Sequence, residues 1–261
     1  MDMISIPPFL DDTGFLQLDA YVTEQPDSRI VLAAGANTWA SAGALVALRG
    51  LVDDLYATGR AVSLALPSSS SAALRFVTSG LSLGLPISGE VRSSVSGWAG
   101  VPILELRDAR DAERFAGEVF VAARSAGSPD ATFIAQAAGE LAANGVTHSG
   151  SPSTFAVFEY DEAGYELAVV DRGVGIRQTW SARFSVSTDA DALLASVSLL
   201  PSPEPRGLGL PFLAARTAAS GVELVLRSGR HGIRIRHRHP WLEELASPLP
   251  GTFAIVRNHP A

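Results

Sequence analysis

The feature that most constrains the fold is a repeated alternation between short apolar segments and amphipathic segments. After Arg29, the segments "RIVLAAG" and "RAVSLALP" have the length and the β-branched content of buried strands. Between them, "SAGALVALRGLVDDLYATG" has the apolar spacing of a helix and ends at Gly59. A second helix is predicted in "SSSSAALRFVTSGLSLGLP" and a further strand in "VPILELRD". This alternation indicates an α/β unit, which we place at residues 1–110.

A second unit, residues 111–261, begins with a charged helical stretch. Ser128 and Pro129 then predict the N-cap and the first residue of a helix that ends near Gly150. The segment "TFAVFEYDEAGYELAVVD" predicts a hairpin of two strands joined by an acidic turn. The irregular, Pro-rich stretch 177–205 predicts a mobile segment outside the core. The unit is completed by a helix that opens around Pro211 and by three strands, "VELVLRS", "GIRIRHR" and "GTFAIV".

Composition narrows the classes of chemistry. All 20 basic residues are arginine, which excludes a P-loop lysine, the strand lysine of protein kinases and a lysine Schiff base. The absence of cysteine excludes disulfides, thiolate catalysis and cysteine-bound zinc. A net charge of −7 argues against extended contact with nucleic acid or with an anionic membrane surface. No apolar run is long enough for a membrane span, and the N-terminus lacks the basic start of a signal peptide, so we expect a cytoplasmic location.

The helix that ends near Gly150 carries three polar side chains on its apolar side. At about 100° per residue, Glu140, Asn144 and His148 project into the same sector as Leu141. Burial of a carboxylate and a carboxamide beside apolar groups costs several kcal/mol unless a partner hydrogen-bonds or coordinates them. The stripe therefore predicts a pocket. The alternative is a helix whose last turns leave the core, with Glu140 paired to a neighbouring arginine.

Three polar or glycine-rich pieces follow one another in the second unit. They are Glu140-x3-Asn144, "DRGVGI" from Asp171 to Ile176, and "RGLGL" from Arg206 to Leu210. Together with Thr252 in "GTFAIV", this ordered set resembles the GHKL family of Bergerat-fold ATPases, which includes the ATP domains of histidine kinases, anti-sigma serine kinases, gyrase B and MutL. The resemblance extends over the whole second unit.

The resemblance implies a magnesium–ATP site. Glu140 would polarise a water molecule or a substrate hydroxyl, and Asn144 would bind Mg²⁺, for which a carboxamide oxygen is a suitable ligand. Asp171 would accept a hydrogen bond from the adenine N6 amino group; because guanine presents an acceptor there, this residue favours ATP over GTP. Thr252 would contact the adenine through water. His148 matches a histidine often found at that helix end, and its alternative role is a helix C-terminal cap.

The glycines of these motifs have a backbone role in the same scheme. Gly173 and Gly175 would let the nucleotide approach the backbone beside Ile176, although by themselves they indicate an ordinary strand-to-loop turn. In "RGLGL", free backbone N–H groups before a helix would hold phosphate oxygens, with Mg²⁺ and Arg206 or Arg172 meeting the remaining charge. The residues expected at the phosphates are Arg206, Gly207, Leu208, Gly209 and Leu210.

The first unit resembles a STAS-like domain, of the sulfate-transporter and anti-sigma-antagonist type, at "WASAGALVAL". In that type a serine-containing loop precedes a helix and can be phosphorylated, and Ser41 is the nearest match. The usual Asp-Ser-Ser/Thr-Gly is replaced here by Ala40-Ser41-Ala42-Gly43. An N-cap role for Ser41 is the alternative.

The segment "RHGIRIRHRH" invites a nucleic-acid or metal interpretation. Arg234, Arg236 and Arg238 alternate with isoleucines, which predicts a strand with one solvated arginine face. His237 and His239 could ligate a metal together, but a third ligand is not evident in the sequence.

The sequence therefore predicts a two-domain α/β protein: a STAS-like module followed by a Bergerat-fold sandwich in which a mixed sheet carries helices on one face. The function that the resemblance implies is that of a cytoplasmic, Mg-ATP-binding regulator. It would be an ATPase or a serine/threonine protein kinase of the anti-sigma type, working by partner switching with a regulatory protein. The alternative is a non-catalytic ATP-sensing scaffold. In it, the stretch 177–205 would act as a lid, and this lid and the STAS-like module would bind a protein partner. No nucleic-acid or membrane partner is expected, and a homodimer is left open.

Overall fold

The structure is an α/β protein whose strands form one parallel and one antiparallel main sheet, which confirms the predicted class. The computed structural model describes residues 2–25, 29–35, 38–66, 87–88, 99–181, 184–198, 209–237 and 239–258. Within these ranges, no helix combines the length and the apolar content needed to cross a bilayer.

The first unit is built on parallel strands. The strands β1 (Asp2–Ser5), β3 (Arg29–Ala33), β5 (Ala61–Ala65) and β6 (Ile87–Ser88) form a sheet in the order β1-β3-β5-β6, and β2 (Phe9–Leu10) pairs with β4 (Trp39–Ala40). Two helices, α1 (Asp12–Glu24) and α2 (Ala42–Ala57), accompany them. The predicted order of strand, helix and strand is confirmed by β3, α2 and β5, whereas β1 and α1 were not predicted. The helix expected within residues 68–86 lies outside the described residues.

The second sheet contains β7 (Ala99–Leu106), β8 (Thr154–Asp161), β9 (Gly164–Asp171), β10 (Glu223–Arg236) and β11 (His239–Asn258). Their order is β10-β11-β9-β8-β7, and every described pairing is antiparallel. The described strands therefore form an antiparallel sheet, where a mixed sheet was predicted. The predicted hairpin is confirmed by β8 and β9. Strand β7 precedes residue 110 in the chain but pairs with β8, so it contributes to this sheet.

Two of the three strands predicted at the end of the chain are parts of one strand, β10. Glu223 and Arg234 lie 11 residues apart along it, and full extension would separate them by about 35 Å. Yet Arg234 Nη1 lies 3.5 Å from Glu223 Oε1, so β10 is not straight between them. Its register with β11 shifts on both sides of Gly229, where φ is +61°. The third predicted strand is the end of the longer β11.

The described part of the second unit contains the helices α3 (Ala109–Ser125), α4 (Ala131–His148), α5 (Gly175–Ser181), α6 (Asp189–Val197) and α7 (Gly209–Ser220). Helix α4 begins later than predicted, since Asp130 occupies the N-cap position and Ser128 Oγ instead accepts a hydrogen bond from Asp130 N. The stretch 177–205 is not irregular throughout. Helix α6 has a capping box at Thr188, and its Ala192 and Leu193 are fully buried.

Helix α2 packs between the two sheets. Residues 42–48 are all buried, because one side of the helix contacts β8 and β9 while the other faces the parallel sheet. Apolar residues around the whole circumference of a helix are typical of such a fully buried position. Close approach depends on glycine: a Cβ at Gly43 would lie 3.1 Å from Ile255, and one at Gly50 would lie 3.3 Å from Val170.

Strands β8 and β9 are buried on both faces. In β8, Phe155 and Val157 belong to the core shared with the first unit, whereas Ala156 and Phe158 belong to the core under α4. This follows from the alternation of side chains along a strand. The sheet therefore needs a layer on each side, and the first unit supplies the second layer.

A buried ion cluster ties α1 to this sheet. Asp12, which is 3% exposed at its side chain, lies 2.8 Å from Arg227, 2.9 Å from Arg234 and 3.4 Å from Arg257. Burial acts to raise the pKa of Asp12, but the three guanidinium groups outweigh it and hold the pKa below its ordinary value. The predicted solvated arginine face is therefore wrong for Arg234, which faces this cluster and Glu243.

We expect Asp12→Asn to lower the free energy of unfolding by about 3–5 kcal/mol at neutral pH, because it leaves three partly or fully buried guanidinium groups without their shared carboxylate. Denaturant unfolding measures the change. Glu118→Gln, which alters a surface pair with Arg114, is the control and should change stability by less than about 1 kcal/mol. The depressed pKa of Asp12 means that its contribution is lost as the pH falls through that value, so the stabilities of wild type and Asp12→Asn should converge in strong acid. Equal, small effects of both variants at neutral pH would contradict this role of the cluster.

Candidate functional site

A cleft opens between the end of α4, the loop after β9 and the strands β9 and β11. It holds about 580 Å³ of empty space counted to its open mouth, and most of its walls are apolar. Apolar walls with a few placed polar groups are typical of small-molecule sites. The lining residues are Leu141, Asn144, Gly145, His148, Ser149, Val169, Asp171, Gly175, Ile176, Thr179, Trp180, Leu210, Leu226, Thr252 and Ala254.

Helix α4 brings two residues of the predicted polar stripe to this cleft, whereas Glu140 is not among the lining residues. Asn144 and His148 line it together with Leu141, and all three project from the last turns of the helix. Glu140 lies one turn before Asn144 and is half-buried; its Oε1 accepts a hydrogen bond from Asn144 Nδ2 at 3.2 Å. Glu140 is thus paired with the neighbouring carboxamide. This contact differs from the alternative interpretation, in which Glu140 pairs with an arginine.

Asp171 closes β9 and forms part of the cleft wall, where it is 4% exposed. Its Oδ1 accepts a hydrogen bond from Gly173 N at 2.9 Å, and the carboxylate also accepts from the backbone and the side chain of Thr252. Burial raises the pKa of the Asp171 carboxyl to about 6, although these hydrogen bonds oppose the rise. The cleft therefore contains a desolvated acceptor next to apolar walls.

The turn after Asp171 can exist only because two of its residues are glycine. A Cβ on Gly173 would lie 1.9 Å from the carbonyl oxygen of Ser149, and Val174 N donates to that oxygen at 2.7 Å. Gly175 has a φ of +76°. The spacing of Gly173 and Gly175 thus lets the turn pass against the end of α4 while Ile176 enters the cleft.

Ser228 fastens this turn from the other side, and the sequence analysis did not single it out. Its Oγ accepts a hydrogen bond from Ile176 N at 2.9 Å and donates one to Gly251 O at 2.8 Å. Gly251 precedes Thr252, which lies opposite Asp171 in the pairing of β9 with β11. The only signal for Ser228 in the sequence is a hydroxyl at the end of an otherwise apolar strand segment.

The phosphate motif is described only in part. Gly209 begins α7 with a φ of +69°, and Leu210 lines the cleft. Arg206, Gly207 and Leu208 lie outside the described residues. The cleft also includes Thr179 and Trp180, which the sequence analysis did not select; the indole of Trp180 stacks on Phe184 at 4.8 Å between ring centroids.

The remaining predicted residues lie elsewhere. Ser41 Oγ accepts a hydrogen bond from Ala44 N at 3.1 Å and the residue is 3% exposed, so it has the geometry of the N-cap alternative. Arg236 is partly buried in β10, His237 and His239 flank the tip of the β10–β11 hairpin, and Arg238 is outside the described residues. Within the described ranges, no three His, Asp or Glu side chains come together as a metal site.

We expect the stability of the protein to depend on pH through Asp171. Its folded-state pKa is raised to about 6, so folding is favoured by the protonated carboxyl group. This contribution to the free energy of unfolding is fully present below the ordinary pKa of 3.8 and is lost as the pH rises through about 6. Asp171→Asn removes this titration. The free energy of unfolding of the variant should therefore gain about 2–3 kcal/mol relative to wild type between roughly pH 4 and pH 7.

Denaturant unfolding at a series of pH values measures this difference, with Asp161→Asn, at an exposed turn, as the control. A difference between wild type and Asp171→Asn that stays constant over the whole range would contradict the burial of an ionised Asp171.

Comparison with known proteins adds no assignment. No protein-family description, no curated protein and no solved structure matches the chain.

Proposed function

We propose that the cleft binds Mg-ATP and that the protein is a cytoplasmic regulator of the anti-sigma type, with a STAS-like module ahead of a Bergerat-fold domain. One observation carries the proposal. Residues from four separate stretches of sequence, namely Asn144, Asp171 with Ile176, Leu210 and Thr252, line a single cleft. These are the stretches in which the resemblance to the GHKL family is found.

The inner part of the cleft suits an adenine ring. Val169, Ile176 and Leu226 provide apolar surface, and the buried Asp171 carboxylate provides an acceptor for the exocyclic amino group. Guanine would place its O6 acceptor against this carboxylate, and two facing acceptors left without a proton cost a few kcal/mol. The same residue would therefore select ATP over GTP.

The polar edge of α4 suits the phosphate end of the ligand. The carboxamide of Asn144 offers an oxygen of the kind that Mg²⁺ prefers, and the start of α7 at Gly209 offers backbone N–H groups for phosphate oxygens. Bound Mg²⁺ would neutralise phosphate charge. Glu140 would then accept the proton of a water molecule or of a partner's serine or threonine hydroxyl, whose oxygen attacks the γ-phosphorus as the bond to the β-phosphate oxygen breaks and ADP leaves.

A non-catalytic ATP-sensing scaffold is the second candidate. The hydrogen bond from Asn144 to Glu140 favours it, because the carboxylate that would act as the base already has a partner. In that case nucleotide binding would order the stretch 177–205, which would act as a lid, and this lid and the STAS-like module would bind a protein partner.

Calorimetry with Mg-ATP and Mg-GTP tests the binding proposal. Wild type should bind Mg-ATP in preference to Mg-GTP, and Asp171→Asn should lose most of this preference, at least about tenfold, because its amide can both donate and accept. Asp161→Asn should bind as wild type does. Failure of folded wild type to bind Mg-ATP, or a preference that survives in Asp171→Asn, would contradict the proposal.

Glu140→Gln separates the two candidate functions. If Glu140 is the base, the variant should retain Mg-ATP binding but lose roughly 100-fold or more of phosphate release or phosphotransfer, since general-base catalysis contributes about that much. Glu118→Gln, the same substitution at a surface carboxylate of α3 outside the cleft, is the control. Equal turnover in Glu140→Gln and wild type would exclude the catalytic role, and no turnover in wild type with any partner hydroxyl would favour the scaffold.

A further inference from the structure

Arg172 connects the wall of the cleft to the first unit. It follows Asp171 directly, yet its side chain turns away from the cleft and is only 7% exposed. Its Nη1 lies 3.1 Å from Asp19 Oδ1 in α1, and its Nε lies 3.2 Å from Asp54 Oδ2 in α2. One guanidinium group thus joins the turn after β9 to α1 and α2 of the first unit.

The arginine stem is also packed against α2. A Cβ on Gly50 would lie 3.7 Å from Cγ and Cδ of Arg172, so the stem runs within van der Waals distance of α2 at this glycine. A Cβ on Gly251, in β11, would lie 2.6 Å from the Cα of Arg172. The stem of Arg172 therefore packs against α2 and its backbone packs closely against β11.

Asp19 makes this contact in a dry environment. Its side chain is 8% exposed, and burial raises its pKa above the ordinary value although Arg172 opposes the rise. Because Arg172 and Asp19 are both buried, a substitution that removes the carboxylate leaves the guanidinium group in a dry site without this partner. The contact holds only while the first unit stays docked on the sheet.

We propose that Arg172 is a positioning residue through which the docked first unit holds the turn 171–176 in the shape that a ligand of the cleft requires. Docking of α1 and α2 and occupancy of the cleft are then coupled. The coupling is reciprocal: loosening the first unit weakens ligand binding, and a bound ligand tightens the first unit. As far as the ligand is an adenine nucleotide, this inference rests on the proposed function.

Amide hydrogen exchange without nucleotide tests the coupling independently of what the cleft binds. The reporters are the amides of Gly173, Val174 and Ile176, which donate to Asp171, Ser149 and Ser228. Asp19→Asn should speed their exchange by roughly 5-fold or more beyond any change at core amides of β9 such as Leu167. If Asp19→Asn does not fold, Asp54→Asn, at a 44% exposed side chain, gives the same readout.

Glu223→Gln is the matched control, because Glu223 is a partly buried carboxylate that pairs with Arg257 and Arg234 in the other ion cluster. Glu223→Gln should change the exchange rates of the reporter amides and of the core amides by the same factor. If the Asp19 or Asp54 variant also changes the exchange rates of the two groups of amides by the same factor, Arg172 has only a general stabilising role and the proposal is overturned.

Mg-ATP titration of the same variants completes the test. The affinity should fall roughly 5-fold or more in Asp19→Asn and remain as in wild type in Glu223→Gln. Unchanged affinity in Asp19→Asn, in a wild type that binds, would overturn the coupling. If wild type does not bind Mg-ATP, the proposed function fails, while the exchange experiment still decides whether the first unit holds the turn.

Discussion

The burial of α2 between two sheets is the constraint on which the rest of the structure depends. Strands β8 and β9 are apolar on both faces, so the antiparallel sheet cannot be stable in water with helices on one side alone. The other side is covered by α2, whose residues 42–48 are all buried and which approaches closely at Gly43 and Gly50. The first unit is therefore part of the support of the second rather than a tethered neighbour.

This arrangement also determines where the cleft lies. Strand β9 passes under α2 and ends at Asp171, and the glycine turn that follows is held against the end of α4 by the contact of Val174 with Ser149. Ser228 joins the same turn to Gly251 in β11. Because the polar groups of the cleft come from helix and strand ends with fixed neighbours, they are positioned before any ligand arrives.

Local sequence patterns were sufficient to predict part of this structure. The end of α4 near Gly150 and the hairpin of β8 and β9 were expected, because helix stops and alternating strands are local signals. The meeting of Asn144, Asp171 and Thr252 at one cleft was expected from the resemblance and not from local patterns. The family and the nucleotide remain inferences from the resemblance.

What local patterns do not contain is the identity of a distant partner. Asp12 and Arg227 are more than 200 residues apart, and nothing in "RIRHRH" shows that Arg234 faces a buried carboxylate. For the same reason, β7 was placed with the first unit although it pairs with β8. Helix α6 was predicted to be part of an irregular segment, because its short apolar stretch is flanked by Ser- and Pro-rich residues. The uniformly apolar "AGALVAL" of α2 did carry a signal, since a helix that is apolar on all sides must be enclosed.

A crystal structure of the protein with Mg-ADP would show whether the cleft holds an adenine nucleotide on the Asp171 carboxylate, as we propose. We expect the adenine between Ile176 and Leu226, with its amino group on Asp171 and its phosphates toward Asn144 and Gly209. Nucleotide bound with its base away from Asp171, or a cleft left without nucleotide at saturating concentration, would contradict the proposal.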